Sequence, residues 1–188
     1  MHVDEELLAP IRARYGKPHV LAWEGEISEQ ELRVASGNPG RRHDVTIYVF
    51  NGERLALIRK PQYAPGLWRP PGGGIDVGEP FVTGVAREAR EELGVEIELE
   101  RYLVRSEALF HCGEESLPWQ THVLSARTGA EELVPEDTHE IEAARWGSVA
   151  ELQGPLREAL LATGRALWRY RVALHDAVAT ALRESRPS

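Results

Sequence analysis

The stretch from Pro80 to Gly94 constrains this chain more than any other, because it writes a helix with two faces that need different surroundings. Val82, Val85, Ala86, Ala89 and Leu93 recur at helical spacing and call for a core. Glu88, Glu91 and Glu92 stand at i, i+3 and i+4, so they project together, roughly 120° around the axis from the apolar stripe at about 100° per residue. Pro80 suits the first turn of such a helix and Gly94 its end. Alone, the acidic side would be a solvated face with an Arg87–Glu91 pair worth about 0.2–0.5 kcal/mol. Its neighbours decide between that reading and a cation-holding one.

Before the helix, Pro61 to Gly78 is crowded with proline and glycine and predicts a loop with short extended pieces near Leu67-Trp68 and Ile75. Upstream of it, VTIYVF and LALIRK flank Asn51-Gly52, which predicts two antiparallel strands joined by a tight turn. At the N-terminus, Leu7, Leu8, Ile11 and Tyr15 predict a short helix that Asp4 would cap, and Ser28 with Glu31 forms the capping box of a second. Further strands are expected near Val95 to Leu103, His122 to Ala126 and Ala143 to Trp146. The tail reads as helix: Ser148 and Glu151 repeat the capping box, Pro155 starts another turn, and Leu167, Tyr170, Leu174, Val178 and Leu182 line one face.

With 188 residues, 42% of them apolar, the chain can bury one domain-sized core. A net charge of −8 opposes a broad grip on a nucleic acid polymer and favours cations or metal-bridged anions. Cys112 is the single cysteine, so no internal disulfide forms, and His111, Cys112, His122 and His139 match no usual zinc spacing. No basic start with an apolar run opens the chain, and no window approaches a membrane span; the expectation is a cytoplasmic protein without membrane attachment.

Read outward from the helix, Gly73 to Val95 is GGIDVGEPFVTGVAREAREELGV, with the pattern G-x5-E-x7-R-E-U-x-E-E-x-G-U, where U is apolar. This resembles the Nudix box, and LWRPPGG before it and HEIEAARWGSVAEL after it are similar to the family's flanking segments. Ala89 fills a slot that usually holds a larger aliphatic residue, a difference of packing rather than chemistry. The resemblance implies an α/β/α sandwich with a mixed β-sheet over 44–152, here with a 1–43 extension of short helices and a long C-terminal helix in 153–188. It implies Mg²⁺- or Mn²⁺-dependent hydrolysis of a diphosphate in a nucleotide derivative. Glu88, Glu91 and Glu92 would be metal carboxylates, Gly72 or Gly73 would supply a backbone ligand, and Arg87 would orient the acids. Glu79 is either an outer ligand or a helix cap.

The chemistry is coherent. A negative site takes a negative diphosphate only with divalent cations between them, and clustered oxygen donors suit hard ions. For the general base, Glu140 matches the family's loop carboxylate, with Glu136, Asp137 and Glu142 as competitors. Arg59, Lys60 and Arg69 could meet phosphates, and Tyr63, Trp68, Phe110 and Trp119 could stack on a base, each with a packing role as its alternative. Arg41-Arg42-His43 reads as a loop rather than a polyanion footprint. The downstream SQPW-type run of NADH diphosphatases and the upstream leucine- and arginine-rich run of coenzyme A hydrolases are absent. Between Arg105 and Leu117 there is neither the proline typical of ADP-ribose enzymes nor the tyrosine typical of diadenosine polyphosphate enzymes, which leaves the substrate open. The extensions could pair two copies in a homodimer. The rival to an enzyme is a nucleotide-binding regulator of the same fold without turnover.

Overall fold

A computed structural model describes residues 5–37 and 43–184. Asp4, Arg41 and Arg42, which the sequence offered as a cap and a basic knot, lie outside them. Six strands form one mixed sheet: β1 (His19–Glu26), β2 (His43–Asn51), β3 (Arg54–Arg59), β4 (Glu98–Cys112), β5 (Glu115–Arg127) and β6 (Ala143–Gly147), in spatial order β1-β4-β5-β2-β3-β6. The β1–β4 and β2–β5 pairs are parallel and the other neighbours antiparallel. The Asn51-Gly52 turn closes β2 on β3 with Asn51 opposite Arg54, and Gly52 takes the left-handed φ of 59° that the tight turn requires.

Side chains that alternate along the strands feed two cores, one on each face. Val45, Ile47, Val49, Ala56 and Ile58 pack under α1 (Glu5–Tyr15) and α3 (Phe81–Leu93), whose Leu8, Ile11, Val85, Ala89 and Leu93 are buried there. Tyr48, Leu55 and Leu57 face the opposite layer, α2 (Glu29–Ala35), α4 (Val149–Gln153), α5 (Pro155–Ala162) and α6 (Ala166–Glu184), through Leu32, Leu152, Leu156, Tyr170, Leu174 and Val178. The architecture is the expected α/β/α sandwich, with the long C-terminal helix forming much of one layer.

Three local expectations are corrected. β1 is a strand that pattern reading passes over: its burial alternates only between exposed and half-buried, and what makes it a strand is parallel pairing with β4, a partner far along the chain. The β4–β5 hairpin is far longer than the segments near Val95–Leu103 and His122–Ala126. Arg105 and Glu107 face outward while Ser106, Ala108 and Phe110 are buried, and Gly113 turns the chain at φ 60°. At α4 the Ser148 side chain accepts from Glu151 N as drawn, but the Glu151 carboxylate pairs with Arg145 at 2.5 Å, so only half of the second capping box exists. At α2 both halves of the box are present.

The α6 layer contains a measurable pH liability. His175 is 1% exposed, and neither ring nitrogen has a hydrogen-bond partner among the described residues. Burial, helped by the charges of Arg171 and Arg69, holds its pKa well below the usual histidine value, so it is neutral in the fold. His122 is held at about 3, by burial and then by His43 and Arg105. In the unfolded chain each titrates near pH 6.5, so below that pH the unfolded state takes up protons that the fold refuses. Each histidine then costs about 1.4 kcal/mol of stability per pH unit. His175→Leu is therefore expected to stabilise the protein by about 1 kcal/mol near neutrality, where an unsatisfied buried polar group is removed, and by about 1.4 kcal/mol more per unit below pH 6.5. Denaturant melts of both proteins across that range check this, and parallel stability–pH curves would contradict it.

Candidate active site

The C-terminal end of α3 is fastened before it is functional. Gly94 adopts φ 71°, and a side chain there would strike the Val134 carbonyl. The helix's last carbonyls are taken by the 134–141 loop: Val134 N donates to Leu93 O at 2.9 Å, and Glu136 N and Asp137 N donate to Glu91 O at 3.0 and 2.9 Å. This brings Asp137 and Glu140 to the acidic side of α3. From the other direction, the proline–glycine segment lies against β2, with Ile47 N donating to Pro71 O and Val45 N to Gly73 O. Gly72 sits at φ 141° where a side chain would run into the β2 backbone, and its N–H donates to Glu92 Oε2 at 2.5 Å. The two loops and α3 enclose a cleft of about 290 Å³ that Glu88, Glu91, Glu92, Asp137, Glu140 and Gly72 line together.

Arg87 is the hub of the acidic face. Its Nε and Nη2 donate to Glu79 at 3.0 Å, its Nη1 to Glu88 at 3.0 Å and Glu91 at 2.9 Å, and Nη2 also to Gly74 O at 2.8 Å. The hydrogen bonds to Glu79, ahead of those to Glu88 and Glu91, hold the guanidinium charge firmly in place, and Arg87 in turn lowers the Glu79 pKa. Glu79 thus braces Arg87. On the far side Lys60 Nζ lies 3.2 Å from Glu92 and 2.6 Å from Glu140. Burial opposes the Lys60 charge, yet Glu92 and Glu140 outweigh it and keep its pKa raised. Arg69, fully enclosed, donates to Tyr63 Oη, Pro70 O and Gly72 O and lies 3.7 Å from Glu92.

The carboxylates therefore share one cleft, but cations hold them, and among the described residues no three acidic, histidine or cysteine groups stand close enough together to form a ready metal site. Glu91 is turned to Arg87, the i, i+4 partner expected from the sequence, with 41% of its side chain exposed. The donor set still fits a divalent cation. Burial and then the neighbouring Glu92 charge push the Glu88 pKa up to about 7, so negative charge at the bottom of the cleft is only partly compensated. Its carboxylate rests against Gly73, where a Cβ would collide with it. Every available donor is oxygen, as Mg²⁺ and Mn²⁺ prefer. Of the two candidate backbone ligands, the Gly73 carbonyl is engaged by Val45 N at 2.8 Å, while that of Gly72 receives only a 3.3 Å contact from Arg69.

A family model described as the NUDIX domain matches residues 40–167, more than half of the chain. The chain belongs to the Nudix family. A protein named NAD-capped RNA hydrolase NudC from Stutzerimonas stutzeri is 35% identical over 115 residues, which cover 61% of this chain and 39% of that protein. Nudix hydrolase 8 of Arabidopsis thaliana is 28% identical over 159 residues, covering 79% of this chain and 42% of that protein. The chain thus spans well under two thirds of these relatives. The solution structure of the E. coli ORF135 protein superposes with a TM-score of 0.50 at 20% identity, covering 78% of this chain and 94% of that one, a likeness of fold.

In this Nudix chain the structure sorts the expected substrate residues. Arg69 lines the cleft, but as a buried strut of the glycine segment. Arg59 does not line it and pairs with Glu142 at 3.3 Å; Trp68 lies under Arg145, whose guanidinium is 4.5 Å from its ring. Phe110 is a core residue, edge-on to Trp23 and Tyr170, with an edge on a separate cavity that the half-buried Trp119 also lines. Glu136 sits opposite Arg90 at 3.8 Å, away from the cleft. Two residues that sequence reasoning passed over do line it: Asp44, which accepts from Thr121 Oγ1 and Trp119 Nε1, and Arg171 of α6, which donates to Thr46 Oγ1 at 2.8 Å and lies 3.6 Å from Asp44. Arg171 lies four residues beyond the end of the family match, and no motif flags it.

Proposed function

We propose that this Nudix domain hydrolyses a diphosphate bond in a nucleotide derivative, yielding a nucleoside monophosphate and a second phosphate compound, with Mg²⁺ or Mn²⁺ as cofactor. The observation that carries the reading is the buried, partly compensated Glu88–Glu92 pair at the floor of a cleft walled by Lys60, Arg69 and Arg171. A divalent ion held by Glu88, Glu91, Glu92 and the Gly72 carbonyl would neutralise the diphosphate and make water more acidic. Lys60 and Arg171 bind the phosphate oxygens, and Arg87 keeps Glu88 and Glu91 in place from behind. Glu140, exposed on its loop and 2.6 Å from Lys60, accepts the proton of the attacking water; its bond to Lys60 aims it into the cleft. The oxygen of that water bonds to one phosphorus, the bridging P–O bond breaks, and the other phosphate leaves with the electron pair.

The relatives' printed name points to a nucleotide joined through a diphosphate, which fits this reading. The net charge of −8 favours the small nucleotide part over an RNA chain. The test is phosphate or nucleotide release from ADP-ribose, dinucleotides, nucleotide sugars and nucleoside triphosphates, with and without metal. Hydrolysis is expected only with Mg²⁺ or Mn²⁺, to fall to buffer background with a chelator, and to return when the ion is restored. Tight nucleotide binding with no turnover of any compound would instead favour the regulator.

A further inference from the structure

A file of buried hydroxyls crosses the α6 face of the sheet, where the surrounding layer is apolar. Ser106 of β4, Thr121 of β5 and Asp44 of β2 come from three adjacent strands, and Asp44 lies opposite Thr121 in the β2–β5 register. Tyr170 of α6 joins them, its ring held edge-on by Trp23 and Phe110. Ser106, Thr121 and Tyr170 are all buried. Val104, Ala108, Phe110 and Val123 belong to the same layer, where apolar packing alone would favour alanine or valine over a hydroxyl.

The hydrogens can run in only one direction. Thr121 N donates to Ser106 Oγ at 2.7 Å, and Thr121 Oγ1 donates its one hydrogen to Asp44 Oδ1 at 2.5 Å. Tyr170 Oη, 2.7 Å from Thr121 Oγ1, must then be the donor of that pair, and Ser106 Oγ, 2.5 Å from Tyr170 Oη, the donor of the next. Burial raises the Tyr170 pKa and keeps the phenol protonated, as this order requires. The file ends on a carboxylate. Trp119 Nε1 adds a second donor to the same Oδ1 at 3.2 Å, while Oδ2 faces Arg171 Nη2 at 3.6 Å. Arg171 also donates from Nη1 to Thr46 Oγ1 at 2.8 Å, so the guanidinium is gripped at two points where it lines the cleft.

We propose that Tyr170 and Thr121 are positioning residues: their hydroxyls fix the rotation of the Asp44 carboxylate, and Asp44 in turn aligns Arg171 for phosphate. This rests on the phosphate role that the hydrolase reading gives Arg171. A carboxylate held by two donors at one oxygen presents the other as a fixed anchor, and each bond in the file polarises the next. Tyr170 and Arg171 are neighbours on α6 and both follow the family match, so one helix brings the cation together with its alignment. An arginine fork aligned in advance loses less freedom when an anion binds.

Calorimetric titration with methylenediphosphonate and Mg²⁺, a diphosphate analogue that water does not cleave, tests the relay. Thr121→Val, which breaks it on a strand far in sequence from Arg171, is expected to weaken binding about ten-fold, and Thr121→Ser, which keeps the hydroxyl, to bind as the wild type does. Tyr170→Phe, nearly unchanged in volume, is expected to weaken binding about five-fold and decides the matter if Thr121→Val does not fold. Arg171→Ala is expected to cost about thirty-fold or more, and Thr121→Val added to it less than about two-fold further. A hydroxyl that served only to hold the fold would weaken binding equally with and without Arg171. Wild-type affinity in both relay variants, additive losses with Arg171→Ala, weak binding in Thr121→Ser, or no binding by the wild type would each overturn the proposal. If the affinities behave as expected and no diphosphate is hydrolysed, the hydrolase reading fails and the relay stands.

Discussion

Glu92→Gln is expected to lower diphosphate hydrolysis on the order of a thousand-fold while the fold survives, well beyond the 10–100-fold typical of groups that only orient a metal ligand. Glutamine keeps the length of the side chain and an oxygen to accept from Gly72 N, now at 2.5 Å, so the glycine segment remains pinned. The charge is what disappears. Glu92 is 3% exposed and is the anion shared by Lys60 at 3.2 Å and Arg69 at 3.7 Å, so the change takes the charge from a metal donor and leaves both cations facing a neutral amide. Lys60 retains Glu140 at 2.6 Å, which limits the stability cost to about 1–3 kcal/mol. Glu91→Gln should do less, since Glu91 is turned outward to Arg87. Circular dichroism, a denaturant melt and calorimetric Mn²⁺ titration on the same sample separate the effects. Wild-type turnover with unchanged Mn²⁺ affinity would remove Glu92 from the metal site.

Much of this was legible because short-range chemistry wrote it. The i, i+3, i+4 acids and the apolar stripe of α3 are properties of one helix, and the structure buries Val85, Ala89 and Leu93 while turning Glu88 and Glu92 to the cleft. The Asn51-Gly52 hairpin and the α2 capping box are equally local. What could not be read depends on partners distant in sequence. β1 exists through β4, and the cations paired with the acids come partly from Lys60 and Arg69, far from the box. Arg171 enters the site because α6, packed on β1 and β4, lets its long side chain reach β2, where Thr46 receives its hydrogen bond. Trp68 and Arg59 were drawn toward substrate by residue type alone, and packing gave both of them protein partners instead, Arg145 and Glu142.

A methyl group placed at Gly73 should be nearly as damaging as the loss of a carboxylate. The Cβ of Gly73→Ala falls on the Glu88 carboxylate, so one of the two must move. The glycine segment has little freedom to yield. Val45 N holds the Gly73 carbonyl at 2.8 Å, Ile47 N holds that of Pro71 at 2.9 Å, and Gly72 is already pressed so closely on the β2 backbone that nothing larger fits. Glu88 therefore gives way, swinging from the cleft floor toward Arg87, which already holds it at 3.0 Å. Displacement of a deep donor by an ångström or more is expected to cost about a hundred-fold or more in turnover, by the same logic that makes small misplacements of catalytic groups expensive. Folding stability should fall by only about 1–3 kcal/mol, the usual cost of overpacking. Gly129→Ala is the matched control, because a Cβ there meets nothing within 4 Å and should change stability by less than about 0.5 kcal/mol. The decisive measurement is the ratio of activity loss to stability loss in the two variants. If Gly73→Ala keeps wild-type turnover with a folded core, the Glu88 carboxylate has no required position against the glycine segment, and its place among the metal donors is lost.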